Sequence, residues 1–189
     1  MRIEAGSHKG TKLSVPTGED VRPTSDRARQ AIFNVLIHRF DAVAGACVLD
    51  AFAGSGALGL EALSRGADRL VAMELARPAL DVLKRNITAC HENARTLVFA
   101  CNALDPPQAQ PRYAPCSLIF LDPPYGKGLI APALSALTRA GWMAPGALIV
   151  AEMGARDEVP ATEDLAVEDE RRYGKAHIVF LRHRIDKSN

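Results

Sequence analysis

The sequence predicts an α/β fold, with a seven-stranded, mostly parallel sheet, an antiparallel C-terminal hairpin and a small N-terminal β extension. Three observations predict it. From Cys47 onward short apolar runs alternate with helical segments, the rhythm of strand–helix–strand units with helices on both faces of a parallel sheet. Near the C-terminus this rhythm gives way to two strands joined at Tyr173-Gly174. Before Asp41 the chain is patterned differently and carries seven basic residues, Arg2, Lys9, Lys12, Arg22, Arg27, Arg29 and Arg39, against fewer acids.

In chain order, residues 1–15 fit two short strands about the turn Gly6-Ser-His-Lys-Gly10. Val21-Arg-Pro-Thr24 is extended, because a residue before proline is pushed out of the helical region. Residues 26–40 place Ala28, Ile32, Val35, Leu36 and Phe40 at helical spacing. Strand 47–52 leads to a helix over 57–65, closed by Gly66. Strand 69–74 leads to a helix from about Pro78, a residue suited to a first helical turn, to about Cys90. Strands 96–101 and 117–121, helix 130–140 and strand 147–152 complete the alternation. The hairpin pairs 163–172 with 175–183, where His177, Val179 and Leu181 alternate with Ile178, Phe180 and Arg182.

A chain of 189 residues forms one domain with a single core. Its 48% hydrophobic and 24% charged residues and net charge of +1 are those of an ordinary soluble protein, and composition alone does not indicate nucleic-acid binding. Cys47, Cys90, Cys101 and Cys116 form no C-x-x-C pair, so they read as buried reduced thiols rather than zinc ligands. The five histidines share no spacing either, and no metal is expected. Residues 1–10 hold no apolar signal core and no stretch approaches a membrane span. The expectation is a cytoplasmic protein with no membrane contact, and a monomer.

Asp50-Ala-Phe-Ala-Gly54-Ser-Gly56-Ala-Leu-Gly59 follows one predicted strand and opens a helix. Glycines at this spacing let a nucleotide-like ligand approach backbone and helix terminus. Asp50 refines that reading, since a carboxylate before the glycines repels a pyrophosphate but attracts the ammonium of a methionine moiety. Phe52, Ala53, Gly54, Ser55 and Gly56 then line the pocket. Glu74, ending the next strand, suits two ribose hydroxyls. Asn102 and Ala103 stand where an adenine ring would lie, with a strand-end turn as the alternative role for Asn102.

Leu118-Ile-Phe-Leu-Asp122-Pro123-Pro124-Tyr125 ends the fourth strand, at the edge where open parallel sheets bind ligands. An exocyclic base amine is a poor nucleophile because its lone pair is delocalised. Acceptors for both N–H hydrogens, the Asp122 carboxylate and the Pro123 carbonyl, localise that pair and stabilise the positive charge developing on nitrogen. Tyr125 would stack on the base. The target has to be unpaired or flipped out to reach such a site.

With these residues in view, the chain resembles the bacterial 16S rRNA guanine-N2 methyltransferases. The resemblance spans nearly the whole length and rests on Arg2-Ile3, Gly6, Lys9-Gly10, Lys12-Leu13, Arg22-Pro-Thr24, Asp26-Arg27-Ala-Arg29, the glycine loop with Glu61-Ala-Leu-Ser-Arg-Gly-Ala67, Asp122 to Tyr125, and Tyr173-Gly174. It implies a Rossmann-like class I methyltransferase using S-adenosylmethionine, with Asp122, Pro123, Pro124 and Tyr125 catalytic. Residues 1–24 would then be an RNA-contacting β-hairpin extension and residues 25–189 the methyltransferase domain. Lys9, Lys12, Arg22, Thr24, Arg27 and Arg29 are the expected contacts to 16S rRNA or the small ribosomal subunit, with a solvated helix face as the alternative for Arg27 and Arg29. Residues 105–115 carry no assigned role. The competing readings are methylation of adenine N6 or cytosine N4, an NAD-dependent oxidoreductase, which leaves Asp50 and Asp122 unexplained, and a non-catalytic ribosome-assembly factor.

Overall fold

The computed structural model describes residues 1–16, 26–124, 126–154, 159, 164–174 and 176–184. Helix α1 (Asp26–His38) is followed by β1 (Cys47–Asp50), α2 (Ala57–Ser64), β2 (Arg69–Met73), α3 (Arg77–Ala89) and β3 (Thr96–Phe99). Then come β4 (Cys116–Leu121), α4 (Ile130–Arg139), β5 (Met143–Gly154), β6 (Leu165–Tyr173) and β7 (Ala176–His183). The seven strands form one sheet in the order β3-β2-β1-β4-β5-β7-β6. Pairings among β1 to β5 are parallel, whereas β7 runs antiparallel to both β5 and β6. The expected architecture is therefore the one observed.

Every second residue of a central strand faces the same layer, and here both layers are apolar. Val48, Leu70, Phe120, Val150 and Phe180 pack under α1, α2 and α3. Leu49, Val71, Ile119, Ile149 and Leu181 pack under α4 and Trp142. Residues 102–115 cover part of this second face: Ala109 N–H donates to the Ala140 carbonyl at 2.8 Å, and Trp142 Nε1 donates to the Pro107 carbonyl at 2.8 Å. Residues 105–115, left without a role, are thus part of the packing.

Several boundaries differ from those expected. Helix α1 stops at His38, before Asp41 takes a left-handed conformation with φ of 46°. Strand β5 begins at Met143, because Cys116 pairs with it across a register irregularity. The N-terminal hairpin contains a single antiparallel bridge, Arg2 to Lys12. Its Ile3 and Leu13 are buried in the same core as α1 and α2.

Arg29 requires a correction. Expected at an RNA surface, it has no exposed surface at all. Its Nη2 donates to the Arg2 carbonyl at 2.6 Å and to Asp26 Oδ1 at 3.0 Å, while Nε lies 3.7 Å from Glu61 Oε2. Glu61, equally buried, accepts the Glu4 amide at 2.8 Å, the Ala5 amide at 3.1 Å and Arg65 Nε at 2.6 Å. Helix propensity puts Arg29 on α1, and the acidic and carbonyl groups around it hold it inside. Removing one partner from such a cluster leaves an uncompensated buried charge. Glu61→Ala is expected to cost about 3–5 kcal/mol of stability in urea denaturation; a loss below about 1 kcal/mol would show that the cluster behaves as a surface ion pair.

Candidate active site

The strand order reverses between β1 and β4, which are neighbours in the sheet. At such a switch point the connections leave in opposite directions and a crevice opens beyond the strand ends. A cleft of about 720 Å³ lies there, bounded by Asp50 to Ser55, Glu74, Asn102, Ala103 and Asp122 to Pro124. That volume is typical of a small-molecule site, for which ~300–1,000 Å³ is usual. The glycine loop and the Asp-Pro-Pro segment thus share one cavity.

The glycine loop is held from several sides. Ala53 N–H donates to the Met73 carbonyl at 3.0 Å and Gly54 N–H to Glu74 Oε2 at 2.8 Å. Asn86 Nδ2 donates to the Ser55 carbonyl at 2.8 Å and to the Ser14 carbonyl at 2.9 Å, tying the loop to α3 and to the N-terminal hairpin. Gly59 lies so close to β2 that a Cβ there would meet Leu70 Cδ1 at 2.6 Å. Gly56 does not border the cleft, contrary to expectation. With φ of +80° it faces inward, and a Cβ would meet Leu83 Cδ1 at 2.5 Å. Its role is to let the chain turn into α2.

Asp50 is buried, yet it borders the cleft. Oδ2 accepts the Gly59 amide at 3.1 Å, whereas Oδ1 has no partner at hydrogen-bonding geometry. Burial pushes this carboxyl up to about 7; the Gly59 amide pulls it back, the nearby Glu74 charge adds to the rise, and the Phe52 amide opposes it least. A buried, unsatisfied carboxylate oxygen is costly unless a donor or cation meets it. Glu74 is half-buried, and both its oxygens already accept amides, from Gly54 at 2.8 Å and Ala76 at 2.7 Å. Each carboxylate oxygen has a second lone pair, so loop support and a diol contact are compatible.

Asn102 Oδ1 accepts the Leu104 amide at 3.0 Å, which is the turn role considered for it, while the residue also borders the cleft. Ala103 is buried in the second layer and reaches the cleft as well. Asp122 is half-buried, Pro123 buried and Pro124 exposed. Arg22, Thr24 and Tyr125 lie outside the described residues. Lys9, Lys12 and Arg27 are exposed. Lys9 sits in the turn whose Ser7 amide donates to the Ser64 carbonyl at 2.8 Å, at the far end of α2 from the glycine loop.

Other wall residues had no motif to reveal them: Leu75, Ala76, Cys101, Leu104, Lys127 and Leu129. Leu75, with 65% of its surface exposed, is a large apolar side chain left open in the cleft, as a flat ring would require. The only available signal was position, since Leu75 follows the acidic residue at the end of β2. Among the described residues there is no cluster of three or more metal-ligating side chains, and no helix is long and apolar enough to cross a membrane.

Residues 1–182 match the model of a family described as conserved hypothetical protein 95. The chain belongs to this family. Ribosomal RNA small subunit methyltransferase D of Haemophilus influenzae is 38% identical over 159 residues, covering 80% of this chain and 78% of that protein. Its namesake in Escherichia coli K12 is 38% identical over 161 residues, covering 85% and 78%. Among solved structures, the yhhF protein of Escherichia coli matches with a TM-score of 0.83 at 31% identity, over 98% of this chain and 99% of that one. With that fold and those relatives, the chain is a methyltransferase.

Asp50 gives the methyltransferase a specific pH signature. A folded-state pKa above the unfolded one makes the native state bind more protons, so this group's contribution to stability is full below about pH 4 and declines as pH rises to about 7. Asp50→Asn is expected to flatten that decline when urea midpoints are compared between pH 5 and pH 8. An unchanged slope would mean that Asp50 titrates normally.

Proposed function

We propose that this methyltransferase transfers the methyl group of S-adenosylmethionine to the exocyclic N2 amine of a guanine in 16S rRNA of the small ribosomal subunit. The observation that carries the reading is that Asp50, Glu74 and Asp122 border one cleft. An NAD-dependent oxidoreductase would need only the first half of that cleft and has no use for the Asp-Pro-Pro segment. The substrate assignment is supported by the resemblance of the N-terminal motifs and by the names of the relatives.

The residues suit the methyl donor. Asp50, with its unmatched Oδ1, meets the ammonium of the methionine moiety, which holds the carboxyl ionised. Glu74 accepts from the ribose, and Leu75, Asn102 and Ala103 flank the adenine. When bound, S-adenosylmethionine supplies an electrophilic methyl on a sulfonium.

The chain's own part in the chemistry is to position and polarise the amine. The Asp122 carboxylate and the Pro123 carbonyl accept its two N–H hydrogens, and Tyr125 stacks on the base. As the C–N bond forms and the methyl's bond to the donor sulfur breaks, with its electron pair left on sulfur, positive charge grows on nitrogen beside these preorganised acceptors, and the amine proton passes toward Asp122. Pro123 and Pro124 fix the turn, because neither ring can rotate about φ. Lys9, Lys12 and Arg27, with Arg22 and Thr24, contact RNA phosphates and sugars. The enzyme acts in the cytoplasm as a monomer.

Labelled methyl transfer to small subunits lacking the modification, followed by nucleoside mass spectrometry, tests the assignment. N2-methylguanosine is expected; methyl-adenosine or methyl-cytidine would retain the chemistry and discard the substrate. Asp122→Ala is expected to lower turnover by ~10²-fold with S-adenosylhomocysteine binding unchanged in calorimetry, and near-normal turnover would remove the assigned role. Reversing charge at Lys12 and Arg27 is expected to weaken subunit binding and to reduce the slope of log affinity against log salt by up to about one per phosphate contact. An unchanged slope would place the RNA elsewhere.

A further inference from the structure

Cys47 opens β1 and Cys116 opens β4, neighbouring strands at the centre of the sheet. Their Sγ atoms stand 3.3 Å apart, roughly 1.2 Å more than the ~2.05 Å of a disulfide bond. The Tyr113 carbonyl lies within reach of both thiols, 3.3 Å from Cys47 Sγ and 3.5 Å from Cys116 Sγ, and holds them on one side of the strands. Cys116 has no exposed surface, whereas Cys47 is half-buried. One sulfur can therefore be reached by a small reagent, and the other stands directly behind it.

The charges around the pair favour the same division. The hydrogen bond with Cys116 holds the Cys47 thiol below its usual range; burial opposes this, the Arg69 charge assists it and Asp68 opposes it. Cys116 is pushed up by the same hydrogen bond and by burial. Burial also raises Cys90 and Cys101. A thiolate is the nucleophile in thiol chemistry, so Cys47 is the cysteine whose surroundings suit it to react first.

We propose that Cys47 and Cys116 are a redox-active dithiol that reacts with hydroperoxides to give a reversible disulfide across the β1–β4 ladder. The Cys47 thiolate attacks a peroxide oxygen, the O–O bond breaks, and the departing oxygen takes a proton to leave as water or an alcohol. Cys47 is then a sulfenic acid. Cys116 loses its proton and attacks the Cys47 sulfur; the S–S bond forms and the hydroxide leaves with that proton as water. Two thiols lose two electrons in total and the peroxide gains them. A thiol reductant reverses the change.

The pair lies at the amino ends of strands whose carboxyl ends lead to the cleft. The cross-link therefore ties the base of the sheet without entering the cavity, and it restrains the long intervening segment in the unfolded chain. This proposal does not rest on the substrate assignment, since its readouts are mass and thermal stability.

The test treats the reduced full chain with stoichiometric hydrogen peroxide, alkylates the remaining thiols and maps peptides by mass spectrometry. Expected are a Cys47–Cys116 cross-linked peptide lighter by two hydrogens, its disappearance with dithiothreitol, and a Tm raised by roughly 5–10 °C. Binding of S-adenosylhomocysteine should be unchanged. In Cys116→Ser the cross-link should vanish and Cys47 should proceed to sulfinic acid. If that buried substitution does not fold, Cys47→Ser should leave the remaining thiols slow to react. Oxidation of Cys90 or Cys101 ahead of Cys47, over-oxidised Cys47 in the unmodified sequence, or no reaction at Cys47 would each overturn the proposal.

Discussion

Glu61 has no contact with solvent, and a carboxylate in that position is stable only if its charge and lone pairs are met. Here they are met from three separate stretches of chain: the amides of Glu4 and Ala5, the guanidinium of Arg65 at the C-terminal cap of α2, and Arg29 of α1 at longer range. One side chain therefore determines where the N-terminal hairpin, α1 and α2 meet. Because α2 begins at the glycine loop, its placement also sets the floor of the cleft. Asn86 repeats the arrangement one helix away, joining the Ser14 backbone to the Ser55 carbonyl. The hairpin is thus bonded to the glycine loop through the buried Asn86 side chain.

The cleft shows the same economy. Glu74 holds the loop by accepting the Gly54 and Ala76 amides and also borders the cleft. Asp50 is spent only in part on the Gly59 amide. The Glu74 charge adds to the cost of ionising the buried Asp50, and a cation entering the cleft would relieve it. A site built this way is selective for charge before shape.

The strands and the cleft motifs were legible in the sequence because both depend on local order. Val48, Phe120 and Phe180 repeat the apolar code of buried strands, and Asp50, Glu74 and Asp122 sit where those strands end. Element boundaries were less legible, because partners set them: β5 extends back to Met143 only because Cys116 is beside it. The fate of Arg29 could not be read from spacing, since Arg2, Glu4 and Glu61 converge on it from distant positions and join Asp26 one turn before it. Leu75 and Lys127 carried no motif, and only the folded loops show that they border the cavity. Residues 105–115 carried no assigned role, yet the Pro107 carbonyl among them accepts a hydrogen bond from Trp142.

In the β1–β4 ladder Asp50 stands opposite Phe120, so Asp122 follows two residues further along the adjacent strand. With strands ~4.8 Å apart and a rise of ~3.3 Å per residue, the two backbones lie roughly 8 Å from each other at these positions. A single residue gained or lost within either strand would turn its aspartate toward the opposite layer. The two halves of the cleft therefore share one ruler. Changes in the loops that follow the strands can reshape the cleft, but the span between the Asp50 and Asp122 backbones keeps a fixed length.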